Sequence, residues 1–259
     1  MPIIALLTDF GTHDWFAAST KAAMLLVNPS ATIVDITHDI PAHDIASAAF
    51  LLRACVRDFP RGTVFAGVVD PGVGSDRAII AARAAGFRFV APDNGLLSWA
   101  LDLCGGAEVR VVKNQAFMKP LLSATFHGRD IIGPAAARLC AGARFEDAGP
   151  VAGSYTRLAW PAPAQTERSV RGEIIYIDQF GNAVTTIGEP FRSLFLPGRA
   201  RLRAAGRDIP LCQYYREAKE GDTLAVWGSA GFIEISVNAG SAAQKLGIRI
   251  GDAVEEFPG

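Results

Sequence analysis

The feature that most constrains this chain is a break used twice: an apolar run cut off by an acid and then by glycine. Ile3 to Thr8 ends in Asp9-Phe10-Gly11, and Thr63 to Val69 ends in Asp70-Pro71-Gly72-Val73-Gly74. Continuous apolar runs of this length read as buried strands. A carboxylate at the carboxyl end of a buried strand, ahead of a glycine loop, is where open α/β sheets build ligand sites. Pro71 fixes its own φ and biases Asp70 towards an extended backbone, while the glycines admit left-handed turns. Arg77 returns on the far side of the second loop, where it can face Asp70. Taken alone, this loop reads first as a tight turn carrying a surface ion pair.

The surrounding pattern alternates. Asp14 to Val27 has helical spacing and stops at Asn28-Pro29; Thr32 to Ile36 reads as a strand. A helix is expected over Asp44–Phe59, with Asp44 as its N-cap and Pro60 beyond its end. Two short strands follow the Asp70 loop, Ala78–Ala84 and Phe87–Ala91, then a turn at Pro92-Asp93-Asn94-Gly95 and a helix over Leu96–Leu103. Val109–Val112 is another strand, and Phe126-His127-Gly128-Arg129-Asp130 precedes an alanine-rich helix through Cys140. At Pro161-Ala162-Pro163-Ala164-Gln165 the alternation stops. Beyond it lie β-like segments at Arg171–Asp178, Ala183–Ile187, Ala200–Ala204, Thr223–Trp227, Phe232–Val237 and Ile248–Glu255, with Ser241–Leu246 helical.

The expected fold is therefore an α/β N-terminal domain, a central and mostly parallel sheet flanked by helices, followed by a small all-β, barrel-like C-terminal domain. The expected boundaries are 1–160 for the first domain, 161–170 for a linker and 171–259 for the second. With half of its 259 residues apolar and a fifth charged, the chain can bury a sizeable core. Its net charge of −1, with no basic block, points away from nucleic acid and from anionic membrane surfaces. Cys55, Cys104, Cys140 and Cys212 are scattered, without a C-x-x-C pair, and read as reduced thiols of a cytoplasmic protein. The start Met1-Pro2-Ile3-Ile4 lacks the basic segment of a signal peptide, and no stretch reaches membrane-spanning length.

Acids at strand ends recur at Asp9, Asp70 and Asp178, with Asp14, Asp93 and Asn182 nearby. His13, His38, His43 and His127 accompany them, but without the spacing of a known metal site, so no metal is expected. The Asp70 loop has no P-loop lysine, and there is no G-x-S-x-G elbow. What is left is Asp70, Arg77 and His127: an arginine able to orient a carboxylate, and an imidazole able to hold or pass the proton of a water. From the residues alone, His127 is the expected base.

Asp9-Phe-Gly, Asp70-Pro-Gly-Val-Gly, Pro92-Asp-Asn-Gly, Thr125-Phe-His-Gly-Arg-Asp, Ile177-Asp-Gln-Phe-Gly-Asn and Trp227-Gly-Ser occur in that order. The series resembles the S-adenosyl-L-methionine (SAM) hydroxide adenosyltransferases, adenosine-forming SAM hydrolases related to fluorinating and chlorinating enzymes. The resemblance runs from about Ile3 to about Val254. It implies that hydroxide displaces methionine from the ribose 5′ carbon, giving adenosine and L-methionine. SAM is the substrate, with no cofactor. Asp70, Arg77 and His127 become the hydroxide-positioning triad, and the halogenating relatives carry tyrosine-type residues in place of Asp70 and His127.

The same resemblance implies that Asp9 holds the ribose hydroxyls and that Asp14 and Asp178 lie near the methionine ammonium. Asn182 and the Asn238-Ala239 backbone are matched to the adenine edge, and Ser229 to the methionine carboxylate. Ala230 stands where the fluorinase pattern has arginine, and Gly128 where it has serine. His43 falls at a sugar-lining tryptophan, and Tyr215 or Tyr214 at the adenine face. Packing is the competing reading for His43, Tyr214 and His38, and helix capping for Asp14. A homotrimer, with sites at subunit interfaces, is implied as well. The alternatives are chlorinase-type 5′-halogenation of SAM and non-catalytic binding of SAM or adenosine.

Overall fold

A computed structural model describes residues 2–167 and 169–258; Met1, Arg168 and Gly259, which fall in the three expected ranges, lie outside the described residues. The chain divides into two compact units, Met1–Ala159 and Trp160–Gly259.

Unit 1 carries strands β1 (Ile3–Thr8), β2 (Thr32–Thr37), β3 (Val64–Val68), β4 (Ile79–Ala84), β5 (Phe87–Pro92) and β6 (Glu108–Val111). Its helices are α1 (Phe16–Val27), α2 (Ile45–Cys55), α3 (Ser98–Leu103) and α4 (Gly133–Cys140). The strand order is β2-β1-β3-β5-β4-β6. Strand periodicity sends alternate side chains to opposite faces. Ile4, Leu6, Val64 and Ala66 pack with Met24 of α1 and Leu139 of α4. Ala5, Leu7, Phe65 and Phe89 pack on the other face with Leu52 of α2 and Leu101 of α3. Phe65 and Phe89 stack across the β3–β5 pair at 5.2 Å between ring centroids. Fully burying one such ring stabilises the fold by about 1.5–3 kcal/mol.

The sheet is mixed, its expected parallel majority interrupted by a single strand, β4. β1, β2, β3 and β5 pair in parallel, but β4 runs antiparallel to both β5 and β6. The cause is local: Ala85 and Gly86, at φ 48° and 84°, make a two-residue hairpin turn that forces β4 and β5 together in opposite senses. Asp44 caps α2 as expected, its carboxylate accepting from the Ser47 amide at 2.9 Å. Asp14 caps nothing: α1 starts at Phe16 behind Trp15, with no side-chain cap. The helix expected through Phe59 ends at Cys55 and continues only as a 3₁₀ turn, Val56–Asp58.

Unit 2 is mostly β. Its strands are β7 (Ala164–Gln165), β8 (Val170–Ile177), β9 (Ala183–Gly188), β10 (Ala200–Ala204), β11 (Arg207–Pro210), β12 (Thr223–Trp227), β13 (Phe232–Val237) and β14 (Ala253–Pro258), with one short helix, α5 (Ala242–Leu246). The order β11-β10-β14-β8-β9-β13-β12 is antiparallel throughout. A bridge from Leu211 to Ala225 nearly closes the ends into a barrel. β7, within the stretch expected as linker, pairs with β8. β11 lies outside the expected strands; it follows a second two-residue turn at Ala205-Gly206.

Glu256 is the anomaly of this unit. It faces inward on β14 between Val170 and Leu202 at 0 % exposure. Among the described residues neither carboxylate oxygen has a hydrogen-bond partner. Burial pushes its carboxyl up to about 8.

Candidate active site

The two acid–glycine loops become one site through strand pairing. β1 and β3 are parallel neighbours with Thr8 opposite Val68, so Asp9 and Asp70 leave the same sheet edge side by side. This is the carboxyl end of the parallel strands, the position at which open α/β sheets bind ligands. A cleft of about 310 Å³ opens there. Asp9, Asp70, His43, Thr125, His127 and Gly128 line it, with Phe10, Phe16 and Phe126 as its apolar wall. The three rings pack against one another at 5.3–5.8 Å between centroids.

Asp70 is held by a fork. Arg77 Nε donates to Asp70 Oδ1 at 2.8 Å, and Arg77 Nη2 donates to Asp70 Oδ2. The same Nη2 also donates to His127 Nδ1 at 2.8 Å. The side chains of Arg77 and Asp70 are 12 % and 6 % exposed, so the pair is largely withdrawn from water. Asp70 and His127 line the cleft, and Arg77 stands behind them as the group that fixes both. Burial, and then the charge of Arg77, hold His127 below the ordinary histidine range, against the opposing pull of Asp70 and Asp130.

The surrounding loops are built to hold this geometry. The Asn94 amide donates to the carbonyl of Val69 at 2.8 Å, so the Pro92–Gly95 turn secures the residue before Asp70. Asp93 accepts from the Thr156 amide at 2.7 Å and does not line the cleft. Gly74 has φ 84° and packs on the carbonyl of Ala124; a Cβ there would come within 3.0 Å of it. That contact joins the Asp70 loop to the segment presenting Thr125 and His127.

His127 leads into a π-helical turn, Gly128–Ile132, a feature frequent at functional sites. Asp130 within that turn is 0 % exposed. It accepts from the Ser123 amide at 2.7 Å and from both Nε and Nη2 of Arg129, at 2.6 and 2.9 Å. A Cβ on Gly128 would lie 3.1 Å from Val68 Cγ1 and 3.3 Å from the Phe10 ring, so a larger residue there requires its neighbours to give.

The other expected residues fall in different places. His43 lines the cleft on a left-handed backbone, φ 69°, with its amide donating to Asp9 Oδ2 at 3.0 Å. Asp14 is exposed and outside the cleft lining. His38 is buried, its Nδ1 2.8 Å from Thr8 Oγ1 and its Nε2 3.2 Å from Asp35, a role in holding the ends of β1 and β2.

Asp178, Asn182, Tyr215, Ser229, Asn238 and Ala239 belong to unit 2. Asp178 Oδ1 accepts from the amides of Phe180 and Asn182, and its Oδ2 from the Asn182 side chain at 2.9 Å. Asn238 donates to the Ala218 carbonyl at 2.8 Å, and Ala239 is left-handed at φ 58°. Ser229 is exposed. Tyr215 donates its hydroxyl to Glu234, with burial pushing the phenol up to about 12; burial also raises Glu234. Glu234 carries no signal in the sequence, because an acid within an apolar strand has no distinguishing spacing. Phe10 and Phe126 stand inside recognisable motifs, whereas Phe16 carries no local signal. Among the described residues no group of three or more His, Cys, Asp or Glu side chains is placed to hold a metal ion.

Comparison with known proteins agrees across both units. The chain is 36 % identical over 262 residues to an (R)-S-adenosyl-L-methionine hydrolase of Salinispora arenicola, covering 100 % of this chain and 98 % of that one. It is 37 % identical to the Thermus thermophilus protein of the same name, covering 96 % of each. The crystal structure of an uncharacterized conserved protein from Thermotoga maritima superposes with a TM-score of 0.93 at 36 % identity, covering 98 % of this chain and 99 % of that one. Residues 4–149 match the SAM hydroxide adenosyltransferase N-terminal domain and residues 172–255 match its C-terminal domain, so the chain belongs to that family.

Proposed function

We propose that this protein hydrolyses SAM to adenosine and L-methionine. The observation that carries the reading is the Asp70–Arg77–His127 set held at the cleft, in a chain whose relatives are named SAM hydrolases. Hydroxide attacks the ribose 5′ carbon as the C5′–S bond breaks, and the bonding pair leaves with sulfur. The leaving group is a neutral thioether and needs no proton. What the site must supply is an in-line nucleophile held close and partly stripped of water. Asp70 and His127 border the space for it, and the aromatic wall excludes bulk water.

Asp9 is the group for the ribose hydroxyls. One of its oxygens already accepts from the His43 amide, which orients the carboxylate. The remaining assignments follow the family resemblance. Asp178 and Asp14 would face the methionine ammonium, Asn182, Asn238 and Ala239 the adenine edge, Tyr215 its face, and Ser229 the carboxylate. An ionised carboxylate offers about four acceptor positions. Asp178 already uses three of them within its own loop, so its part is the lesser. Apart from Asp14, these residues belong to unit 2, 171–259 in the expected boundaries, and the family resemblance implies a homotrimer in which neighbouring subunits complete the sites. Light scattering on the purified protein decides the oligomeric state. An intracellular substrate and four free cysteines fit a cytoplasmic enzyme.

Incubation with SAM, followed by chromatography, tests the activity. Adenosine and methionine in equal amounts are expected, and none above a buffer blank overturns the reading. In high chloride, 5′-chloro-5′-deoxyadenosine in place of adenosine would favour the halogenating alternative.

A further inference from the structure

We propose that His38, buried behind the cleft, is the positioning residue for the carboxylate of Asp9, and that it sets how strongly the site tells a ribose from a deoxyribose. The inference rests on the hydrolase reading and on the ribose assignment of Asp9. It adds to them a residue that touches neither the substrate nor the reacting atoms.

The loop carrying Asp9 is clipped at both ends by this one residue. At its start stands Thr8, the last residue of β1 and 0 % exposed, with Oγ1 2.8 Å from His38 Nδ1. At its end the Gly11 amide donates to the His38 carbonyl at 2.8 Å. Gly11 has φ 67°, a conformation glycine adopts without strain, and it lets the chain meet that carbonyl. Between the two clips the Phe10 amide donates to Thr8 Oγ1 at 3.2 Å. The carboxylate of Asp9 receives the His43 amide, from the same segment that His38 begins. Asp9, Phe10 and His43 line the cleft, and His38 does not.

His38 is fixed in its turn. The pairing of β1 with β2 slips by one residue, with Leu6 opposite Asp35 and Leu7 opposite Thr37. Bulges of this kind re-aim side chains beside functional sites. Residues three apart in a regular strand point to opposite faces, yet here Asp35 Oδ1 lies 3.2 Å from His38 Nε2. Lys21 of α1 donates to the other oxygen of Asp35 at 2.6 Å. An ionised carboxylate only accepts, so Nε2 carries the proton that faces it, and in the neutral ring Nδ1 accepts from the Thr8 hydroxyl. The hydroxyl hydrogen of Thr8 is thereby committed to His38, and its oxygen to the Phe10 amide.

Packing and positioning make different demands on this residue. Packing needs only a body of the right size, whereas positioning needs a polar atom where Nδ1 stands. A site built to hydrogen-bond a hydroxyl rejects a ligand that lacks it, because the site's own polar group is left unpaired. That rejection depends on a carboxylate unable to turn away. Without His38 the loop keeps its acid and loses its aim.

Isothermal titration calorimetry of the full chain with adenosine and with 2′-deoxyadenosine reads that aim without turnover. Wild type should bind adenosine more tightly by about a hundredfold or more. His38→Asn places an amide atom near the Nδ1 position and should keep the ratio within about threefold of wild type. His38→Gln carries its amide out towards the Nε2 position, leaves Thr8 without its partner, and should cut the ratio by about tenfold or more. Thr8→Val removes the hydroxyl at nearly constant volume and should act as His38→Gln does; it gives the reading if His38→Gln fails to fold.

Affinities for the two nucleosides that fall together, with their ratio unchanged, overturn the proposal. So do equal losses of the ratio in His38→Asn and His38→Gln, because the Nδ1 contact would then not be the cause. A wild type that binds both nucleosides equally overturns the ribose assignment of Asp9 and this inference with it. A wild type that discriminates between them but forms no adenosine from SAM overturns the hydrolase reading alone.

Discussion

Gly74→Ala tests the contact that brings the Asp70 loop against the His127 segment. Two costs are visible at this position. The first is conformational: at φ 84° an alanine is strained, by roughly 1–2 kcal/mol. The second is steric: its Cβ would come within 3.0 Å of the Ala124 carbonyl oxygen, where ordinary contacts begin near 3.4 Å. The backbone must give, and overpacking of this kind costs about 1–3 kcal/mol.

Gly105→Ala is the matched control, because Gly105 has φ 82° and a methyl group added there would meet nothing within 4 Å. Urea denaturation should therefore show a loss of roughly 1–2 kcal/mol for Gly105→Ala and about 2–5 kcal/mol for Gly74→Ala. Activity should separate the two further. A displacement of about 1 Å between Arg77 and His127 is enough to cost on the order of a hundredfold in rate, and only Gly74 lies on that path. Adenosine formation measured under folding conditions reads this directly. If the two variants match in stability, and Gly74→Ala keeps wild-type turnover, the packing of these loops does not set the triad geometry.

Other positions give sharper single readings. Glu256, with a folded-state value of about 8, binds a proton in the native state that the unfolded chain releases above the ordinary carboxyl range. Stability from this group is therefore full below that range and falls as pH rises towards about 8; Glu256→Gln should flatten the decline and be more stable at the upper end by on the order of 2 kcal/mol, read from urea midpoints across pH. Asp130→Asn removes the buried charge and turns one of its two accepting oxygens into an N–H donor, and should lower stability by about 1.5–3 kcal/mol, with a larger drop in turnover because the His127 turn loses its anchor. An unchanged rate in that variant would separate the π turn from catalysis. Tyr215→Ala should raise KM for SAM while kcat holds, the signature of lost uniform binding; a fall in kcat alone would remove Tyr215 from the adenine site.

Much of the candidate site was legible because its signals are local. An apolar run ended by acid and glycine marks a strand and its loop without reference to the rest of the chain, and Asp9 and Asp70 follow from that. Asp44 as a cap is equally local, and the structure has it. Asp14 shows the limit: the same residue type at a similar spacing stays exposed, and α1 starts after it. The sense of β4 is also written locally, in Ala85-Gly86, but the alternation of strands and helices around that two-residue turn masks it.

What the sequence by itself determined is therefore the inventory: buried strands, capped helices, a change of pattern before unit 2, and acids and histidines placed on loops. Tertiary structure decided which of these meet. The register of β1 against β3 sets Asp9 beside Asp70, and the packing of Gly74 on Ala124 brings His127 to Arg77. It also set Arg77 Nη2 2.8 Å from His127 Nδ1, across fifty residues of sequence. These are contacts between residues far apart in the chain, set by strand pairing and close packing, and no local pattern encodes a distance across the fold.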